Sequence, residues 1–526
     1  MDNPPFFVPE LLRAIFDQLG RVDQVSCALV CQSWSEVALD AVWYEVKDVG
    51  ALANIFWPVE RDYSSNAAIE YRFKYPGPGV GRWSHFEKRY RNRIRILRGS
   101  ADRVVSPLLN GIQRIQSCLP ILPNLHTLEW SCTGPDELLD SVMFMHPGIR
   151  ACIFTCEDPS DPGTPLLFEA AQTRMPHLVR FEFNIPPQTD VSSLMSLLTN
   201  LPCIEHLAIP AFQDASPVLT YLVSSTALKS LKLGSYLFSD FGRLAAVTTG
   251  SSLGADSFRV LESLTLTVLR YEAACRFFQN YTLCNLRIVT LITLNVEEAT
   301  SVGTLFQQLS ESCPEITGLR VGFVEELGTE VGRRYLSPRS GLINFDVLKK
   351  IFPCKKITDF EFCHPYILDL GDSDMEQIGL AWPQVEWLHL SHNSCVDLGS
   401  SRVTLRAVNI LKRCCPKLKY LGLLFNTSVP YTPSYTSPNS SDIKLAELTS
   451  LHVGRSKLSY DLTPADIQRL SMGFAEVCGC TFRWSPDNDE RWKIVGAAVE
   501  TYVAMFKVIW EQGDEIHRLE REAASV

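Results

Sequence analysis

The chain has 526 residues, of which 46% are hydrophobic and 21% are charged. A chain of that length is too long to fold around one ordinary hydrophobic core, so several domains or a repeat array are expected. The composition excludes a largely disordered chain. The formal net charge of −10 argues against a general binder of nucleic-acid phosphates.

The first 45 residues predict three short helices with more apolar residues than so small a bundle can bury. The first helix is predicted from Pro9 to Gly20, because proline suits the first helical position. Asp23 is expected to cap the second helix, and Ser33 with Glu36 to form a capping box at the third. A module of about 40 residues rarely has a sufficient core, so a partner or the next domain is expected to cover it. The apolar face of the first helix comprises Leu11, Leu12, Ile15, Phe16 and Leu19.

The segment contains a Pro-Glu-Leu-Leu helix start at Pro9, the pair Ile15-Phe16, a Val-Cys-x-x-Trp turn that ends at Trp34, and Trp43. In these residues it resembles an F-box. The resemblance implies binding to the Skp-type adaptor of a cullin-RING ubiquitin ligase. A small helical cap that shields the first repeat of a solenoid remains an alternative. The adaptor-binding positions that the resemblance implies are Val8, where the family usually has leucine, Pro9, Glu10, Leu11, Leu12, Ile15, Val30, Cys31 and Trp34.

A pattern of apolar-x-x-apolar-x-apolar recurs down most of the chain at spacings of 24 to 41 residues. The segments between copies have helical periodicity, as in Leu194, Leu197 and Leu198. Each repeat is therefore predicted to hold one strand and one helix. The leading apolar residues are Leu125, Ile149, Leu178, Ile204, Leu228, Leu261, Leu286, Ile316, Ile357, Val385, Leu418 and Leu448.

These copies resemble irregular leucine-rich repeats over residues 90–460, with Ile94 and Leu97 as a degenerate first copy. Together with the N-terminal segment they resemble the fungal type of F-box protein with leucine-rich repeats. The resemblance implies an α/β fold: a three-helix F-box, then a curved solenoid with parallel strands on its concave face and helices on its convex face. The predicted domains are an F-box at 1–48, a connecting segment at 49–89, the solenoid at 90–460 and a C-terminal helical cap at 461–526. A set of unrelated α/β units remains an alternative.

If the repeats form such a solenoid, alternate strand residues point outward and select the partner. The outward residues mix aromatic side chains with both signs of charge, which suits a protein substrate better than a polyanion. The predicted substrate-binding residues are Arg180, Glu182, Arg320, Asp359, Glu361, Trp387, His389, Tyr420 and His452.

Two further segments have unusual composition. Between Arg82 and Arg98 there are seven Lys or Arg residues and one acid, Glu87. This segment is interpreted as a solvated surface, with a dock for an acidic or phosphorylated partner as the alternative. Residues 425–442 are rich in Ser, Thr and Pro and predict a long loop, either disordered or in contact with substrate.

The C-terminal segment predicts an amphipathic helix between Glu490 and Trp510. Glu500 and Lys507 interrupt its apolar run, so a transmembrane span is excluded and no membrane partner is expected. The helix is interpreted as closing the end of the solenoid, and a partner-binding helix is the alternative. Its apolar stripe comprises Trp492, Val495, Val499, Tyr502, Val503, Phe506 and Trp510.

The sequence also bears on the cellular compartment and on whether the chain has a metal site or a catalytic site. The 17 cysteines are scattered and the N-terminus has no secretory signal, so a cytoplasmic or nuclear protein is expected. Cys478 and Cys480 lack further ligands at a suitable spacing, and neither a metal nor a cofactor is expected. Ser252 lies in a Gly-x-Ser-x-Gly match without a strand before it or a helix after it, so we expect no catalytic residue and no enzyme.

The sequence is therefore interpreted as the substrate receptor of an SCF-type ubiquitin ligase. Its partners are a Skp-type adaptor, a cullin scaffold held through that adaptor, and an unknown protein substrate, with no nucleic acid. A repeat scaffold that binds a partner without delivering ubiquitin is the alternative.

Overall fold

The structure is a computed structural model. It describes residues 8–56, 58–62, 70–73, 80–101, 106–115, 120–156, 163–185, 191–210, 215–234, 258–323, 342–391, 401–428, 448–458, 463–477, 481–483, 490–505 and 508. The chain divides into two compact units, Met1–Ala245 and Ala246–Val526.

The described part of the first unit begins with three helices and continues as a parallel sheet with further helices. The helices, α1 to α10, span Pro9–Phe16, Arg21–Ala28, Gln32–Val42, Val49–Phe56, Val80–Arg89, Ser106–Ile115, Pro135–Leu139, Gly163–Arg174, Ser192–Thr199 and Ser216–Leu222. The strands, β1 to β9, span Glu45–Val46, Val59–Asp62, Glu70–Phe73, Ile96–Ala101, Thr127–Cys132, Ala151–Cys156, Arg180–Asn184, His206–Ile209 and Ser230–Leu233. The parallel sheet runs β1-β4-β5-β6-β7-β8-β9, and β2 pairs with β3 in an antiparallel hairpin.

The second unit repeats the same plan. Its described helices, α11 to α17, span Tyr271–Asn280, Ala299–Ser312, Phe345–Lys349, Asp372–Ala381, Arg406–Cys414, Pro464–Val477 and residues 491–505. Its strands, β10 to β17, span Ser263–Val268, Ile288–Thr293, Gly318–Phe323, Asp359–Phe362, Trp387–Leu390, Tyr420–Leu423, Ser450–His452 and Thr481–Arg483. They pair in chain order, all parallel.

The repeat pattern sets where the strands begin. Each of the twelve leading apolar residues is buried, and a strand starts two residues after each of them. The degenerate copy follows the same rule, since Ile94 is buried and β4 begins at Ile96. The predicted α/β repeats are therefore confirmed. The sheets also extend beyond the predicted 90–460: β1 pairs with β4 at one end, and β17 pairs with β16 at the other.

In each unit, helices pack on one face of the parallel strands. In the second unit, the ring centroid of Phe306 on α12 lies 6.4 Å from that of Phe360 and 5.4 Å from that of Phe362, both inward residues of β13. The alternate residues of β13, Asp359 and Glu361, are partly exposed. The opposite face of the sheet is therefore available for binding.

A buried histidine supports the loops that follow β11 and β13. The Nε2 of His364 lies 3.0 Å from the carbonyl oxygen of Glu297, and its Nδ1 accepts a hydrogen bond from the backbone N–H of Tyr366 at 3.2 Å. This arrangement needs a neutral ring with its proton on Nε2. Burial lowers the pKa of His364 to about 4.

This histidine predicts a pH-dependent stability. Between about pH 6.5 and pH 4 the unfolded chain binds a proton at this position that the folded chain does not. The free energy of unfolding should therefore decrease as the pH falls through that window, by up to about 3 kcal/mol from this group. Burial raises the pKa of Glu297, and this shift makes the free energy of unfolding increase as the pH falls, opposite to the effect of His364. Denaturant titrations should therefore compare the parent chain with His364→Gln. A difference between the two that does not change with pH would contradict the prediction.

Candidate protein-binding surfaces

Helix α1 divides its apolar residues between two faces. Leu12 and Phe16 are only 3% and 1% exposed and form the bundle core with Val37 and Ala38 of α3. Leu11 and Ile15 are 53% and 52% exposed. The helix ends at Phe16, before the predicted Gly20, so Leu19 packs against the core from the following turn.

Helix α2 has no fully buried residue. Val22 and Leu29 are 80% and 82% exposed, and Val25 and Val30 are also exposed. Val22, Val25 and Leu29 follow the i, i+3, i+7 spacing of one helical face. These three residues are not among the predicted adaptor-binding positions, although their helical spacing is a signal that identifies them. We call the exposed apolar residues of this region the α1–α2 surface: Val8, Leu11, Ile15, Val22, Val25, Leu29 and Val30.

The predicted helix caps are wrong. Helix α2 begins at Arg21, so Asp23 lies in its first turn and Gly20 is the N-cap. Helix α3 begins at Gln32 with Cys31 as its N-cap, and the Cys31 side chain forms no capping hydrogen bond. Glu36 instead forms an ion pair with Arg93. The capping box is lost because the helix starts earlier and its glutamate has a charged partner.

The predicted adaptor-binding residues separate into exposed and buried groups. Val8, Pro9, Glu10, Leu11, Ile15, Val30 and Cys31 are exposed. Trp34 is half-buried, with its ring centroid 5.5 Å from that of Phe16 in an edge-on contact. Leu12 is the exception, and we assign it to the bundle core rather than to the α1–α2 surface.

Basic residues of the segment 82–98 form hydrogen bonds and ion pairs with other parts of the chain. The guanidinium of Arg93 donates to the backbone carbonyl of Glu36 at 2.8 Å and pairs with the carboxylates of Glu36 and Asp40. Asp40 also pairs with Arg13 on α1 at 3.2 Å. Only 14% of the Arg93 side chain is exposed, so it is not the solvated residue that the composition indicated. This network fixes α1 and α3 of the bundle to the start of the repeats.

Other basic residues of the segment are also paired. Arg91 bonds Glu87 at 2.7 Å and the carbonyl of Pro120 at 2.8 Å. Arg98 pairs with Glu45 on β1 and with Glu129 on β5, each at 2.9 Å. These pairs reduce the charge that would be available to an acidic partner.

The exposed strand face of the first unit contains two of the predicted substrate-binding residues. Arg180 and Glu182 lie on β7 and bond each other, with 2.6 Å between Arg180 Nε and Glu182 Oε1. Their charges are therefore largely satisfied within the strand.

The exposed strand face of the second unit holds the other seven residues in two rows across the sheet. In one row Asp359, Trp387 and Tyr420 are in-register neighbours on β13, β14 and β15. In the other, Arg320, Glu361 and His389 are neighbours, followed by Gly422 and His452. All seven side chains are exposed or partly exposed.

Aromatic rings from both rows form a cluster on this face. The ring centroid of Trp387 is 4.6 Å from that of Tyr420 and 4.7 Å from that of His389. A side chain at Gly422 would meet the His389 ring at 2.8 Å, so glycine is required for His389 to lie over β15. We call Trp387, His389 and Tyr420 the aromatic platform.

Arg320 and His452 lie at the border of the aromatic platform. The Arg320 guanidinium carbon lies 5.9 Å from the Trp387 ring centroid, a cation–π distance. Burial and the nearby charge of Arg483 lower the pKa of His452, whose Nδ1 accepts a hydrogen bond from the N–H of Gly454. His452 is therefore neutral near pH 7.

The described residues contain no group of three or more His, Cys, Asp or Glu side chains that could hold a metal ion. Within the same ranges, none of the helices has the length and apolarity that crossing a membrane requires. Cys478, Cys480 and Ser252 lie outside the described residues, as do residues 429–442 of the predicted loop.

The C-terminal stripe is confirmed where the structure describes it. Trp492, Val495 and Val499 of α17 are fully buried, and Tyr502 and Val503 are half-buried. The side chains of Phe506 and Trp510 lie outside the described residues.

Comparisons with known proteins identify the N-terminal bundle. The model of the F-box-like family matches residues 9–47. Among solved structures, the chain is similar to one described as the crystal structure of the Rad7 and Elc1 complex in yeast, with a TM-score of 0.34 and 12% sequence identity over 82% of this chain and 91% of that one. A search of the curated proteins found no match.

Proposed function

We propose that this chain is the substrate-receptor subunit of an SCF-type cullin-RING ubiquitin ligase. Its F-box-like domain at residues 9–47 would bind a Skp-type adaptor, and through the adaptor a cullin scaffold. The repeats would bind a protein substrate and bring its lysines near the ubiquitin-conjugating enzyme, raising their effective concentration. The chain itself would catalyse nothing, and it would act in the cytoplasm or nucleus.

The observation that carries the adaptor half of this proposal is the α1–α2 surface. Its residues lie within or beside the F-box-like match, yet the folded chain leaves them exposed. Exposed apolar clusters of this kind are typical of protein interfaces. Bringing one Leu or Ile side chain into such an interface stabilises the complex by about 1.5 to 3 kcal/mol when burial is complete.

The substrate half is supported by the exposed strand face of the second unit. Tryptophan and tyrosine are among the residues that most often dominate protein interfaces, and the aromatic platform supplies both. We further infer that the repeats form a curved solenoid and that α17 closes its C-terminal end. A repeat scaffold that binds a partner without delivering ubiquitin uses the same surface and remains the second candidate.

Co-expression with a Skp-type adaptor tests the proposal. A soluble 1:1 complex on size-exclusion chromatography is the expected result. A well-folded chain that elutes apart from the adaptor would overturn the ligase proposal and favour the scaffold. If the complex forms, the turnover of proteins that co-purify with the chain separates a substrate receptor from a scaffold.

A further inference from the structure

The aromatic platform has an acid beside it that has no cationic partner among the residues the structure describes. Asp359 is the in-register neighbour of Trp387, and its carboxylate accepts a hydrogen bond from the Thr358 hydroxyl at 2.6 Å. Among the described residues it forms no ion pair. Gly318, its neighbour on the other side, has no side chain to cover it. A carboxylate beside the ring of Trp387 is a favourable place for a positively charged group.

The chain already places one of its own cations on this platform. Arg320 lies over Trp387 at 5.9 Å, and its Nε is 3.7 Å from a carboxylate oxygen of Glu361. That distance is long for an ion pair, and 56% of the Arg320 side chain is exposed. Arg320 is therefore held loosely enough for another cation to displace it.

The charge of the whole chain favours the same ligand. The formal net charge is −10, so the chain attracts basic segments and repels acidic ones at long range. The parallel register sets Asp359, Trp387 and Tyr420 in a row across three strands, a track that suits an extended peptide.

We propose that the strand face of the second unit binds an extended, basic peptide segment of its partner. A lysine or arginine of that segment packs on Trp387 and Tyr420 and pairs with Asp359, in competition with Arg320. This inference rests on the proposed function for its partner class, since it specifies the substrate that the repeats would accept.

Fluorescence anisotropy on the full chain tests this inference. The probes are labelled peptides of about a dozen residues that alternate glycine with arginine, glutamine or glutamate. The arginine peptide is expected to bind most tightly, and its affinity to fall as salt is added. Trp387→Ala should weaken that binding about fivefold. Asp359→Asn should weaken it about threefold and reduce the salt dependence, and Asp359→Glu should restore both.

Arg320→Gln gives a result of opposite sign. Removing the competing cation should tighten binding of the arginine peptide by about threefold, an effect that a damaged fold does not produce. Glu272→Gln is the matched control, because Glu272 is an exposed acid on α11, and this change should leave binding unaltered. Circular dichroism checks that each variant is folded.

Two results would overturn the inference. In one, the arginine and glutamine peptides bind equally. In the other, the glutamate peptide binds most tightly and Arg320→Gln weakens the binding of that peptide, which would assign the face to acidic segments. Adaptor binding is measured on the same preparations. If the chain binds the arginine peptide but not the adaptor, the proposed function alone is overturned. If it binds the adaptor but does not prefer the arginine peptide, this inference alone is overturned.

Discussion

Replacing Leu11 and Ile15 together by aspartate is expected to weaken adaptor binding by at least about 100-fold. Both side chains are about half exposed in the folded chain, so the bundle loses little when they change. At an interface, however, each loses the burial of its exposed half, which is worth about 1 to 1.5 kcal/mol. Each aspartate also brings an unpaired charge into an apolar contact. Isothermal titration of the purified chain with a Skp-type adaptor measures the effect.

The matched control changes two exposed leucines elsewhere in the chain. Leu166 on α8 and Leu380 on α14 are 55% and 62% exposed, and the double replacement by aspartate adds the same charge away from the α1–α2 surface. This control should bind the adaptor as the parent chain does. Equal affinity of the Leu11/Ile15 variant and the control would reject the α1–α2 surface as the docking site.

Leu12 is unsuitable for this test although the F-box pattern includes it. It is 3% exposed and packs in the bundle core. Truncating a buried leucine to alanine typically costs about 2 to 5 kcal/mol of stability. A Leu12→Ala variant would therefore lose adaptor binding by unfolding the bundle, whether or not Leu12 touches the adaptor.

The sequence predicted the repeats well because one residue in each copy has two roles. The leading apolar residue, Leu125 for example, is buried, and it also marks a strand that starts two residues later. Parallel pairing then places equivalent positions side by side, as with Asp359, Trp387 and Tyr420. The outward positions of the candidate site followed from this register alone.

The sequence did not predict contacts that join distant parts of the chain. Glu36 has the spacing of a capping box, but its partner is Arg93, 57 residues away. Leu11 and Leu12 are adjacent in one broad apolar stripe, and only the position of α3 determines which of them is buried. Local periodicity contains no information on either point.

The second large effect is expected at the C-terminal end of the second unit. Trp492 on α17 is fully buried, and its Nε1 donates a hydrogen bond to the carbonyl of Ser456 at 2.8 Å. Its ring centroid lies 5.9 Å from that of Phe474 on α16 and 6.0 Å from that of Phe482 on β17. Trp492 therefore joins both helices to the last described strand.

Trp492→Ala should lower the stability of this end by about 3 to 5 kcal/mol, because it opens a cavity and leaves the Ser456 carbonyl without its donor. Terminal repeats need such a cover over their apolar edge. Hydrogen exchange of the amides in β16 and β17 measures the loss locally, and those amides should exchange faster. Ile494→Ala is the control: Ile494 is 59% exposed on the same helix, and its truncation should change exchange by less than about 0.5 kcal/mol. Unchanged protection in Trp492→Ala would instead favour the alternative in which α17 binds a partner.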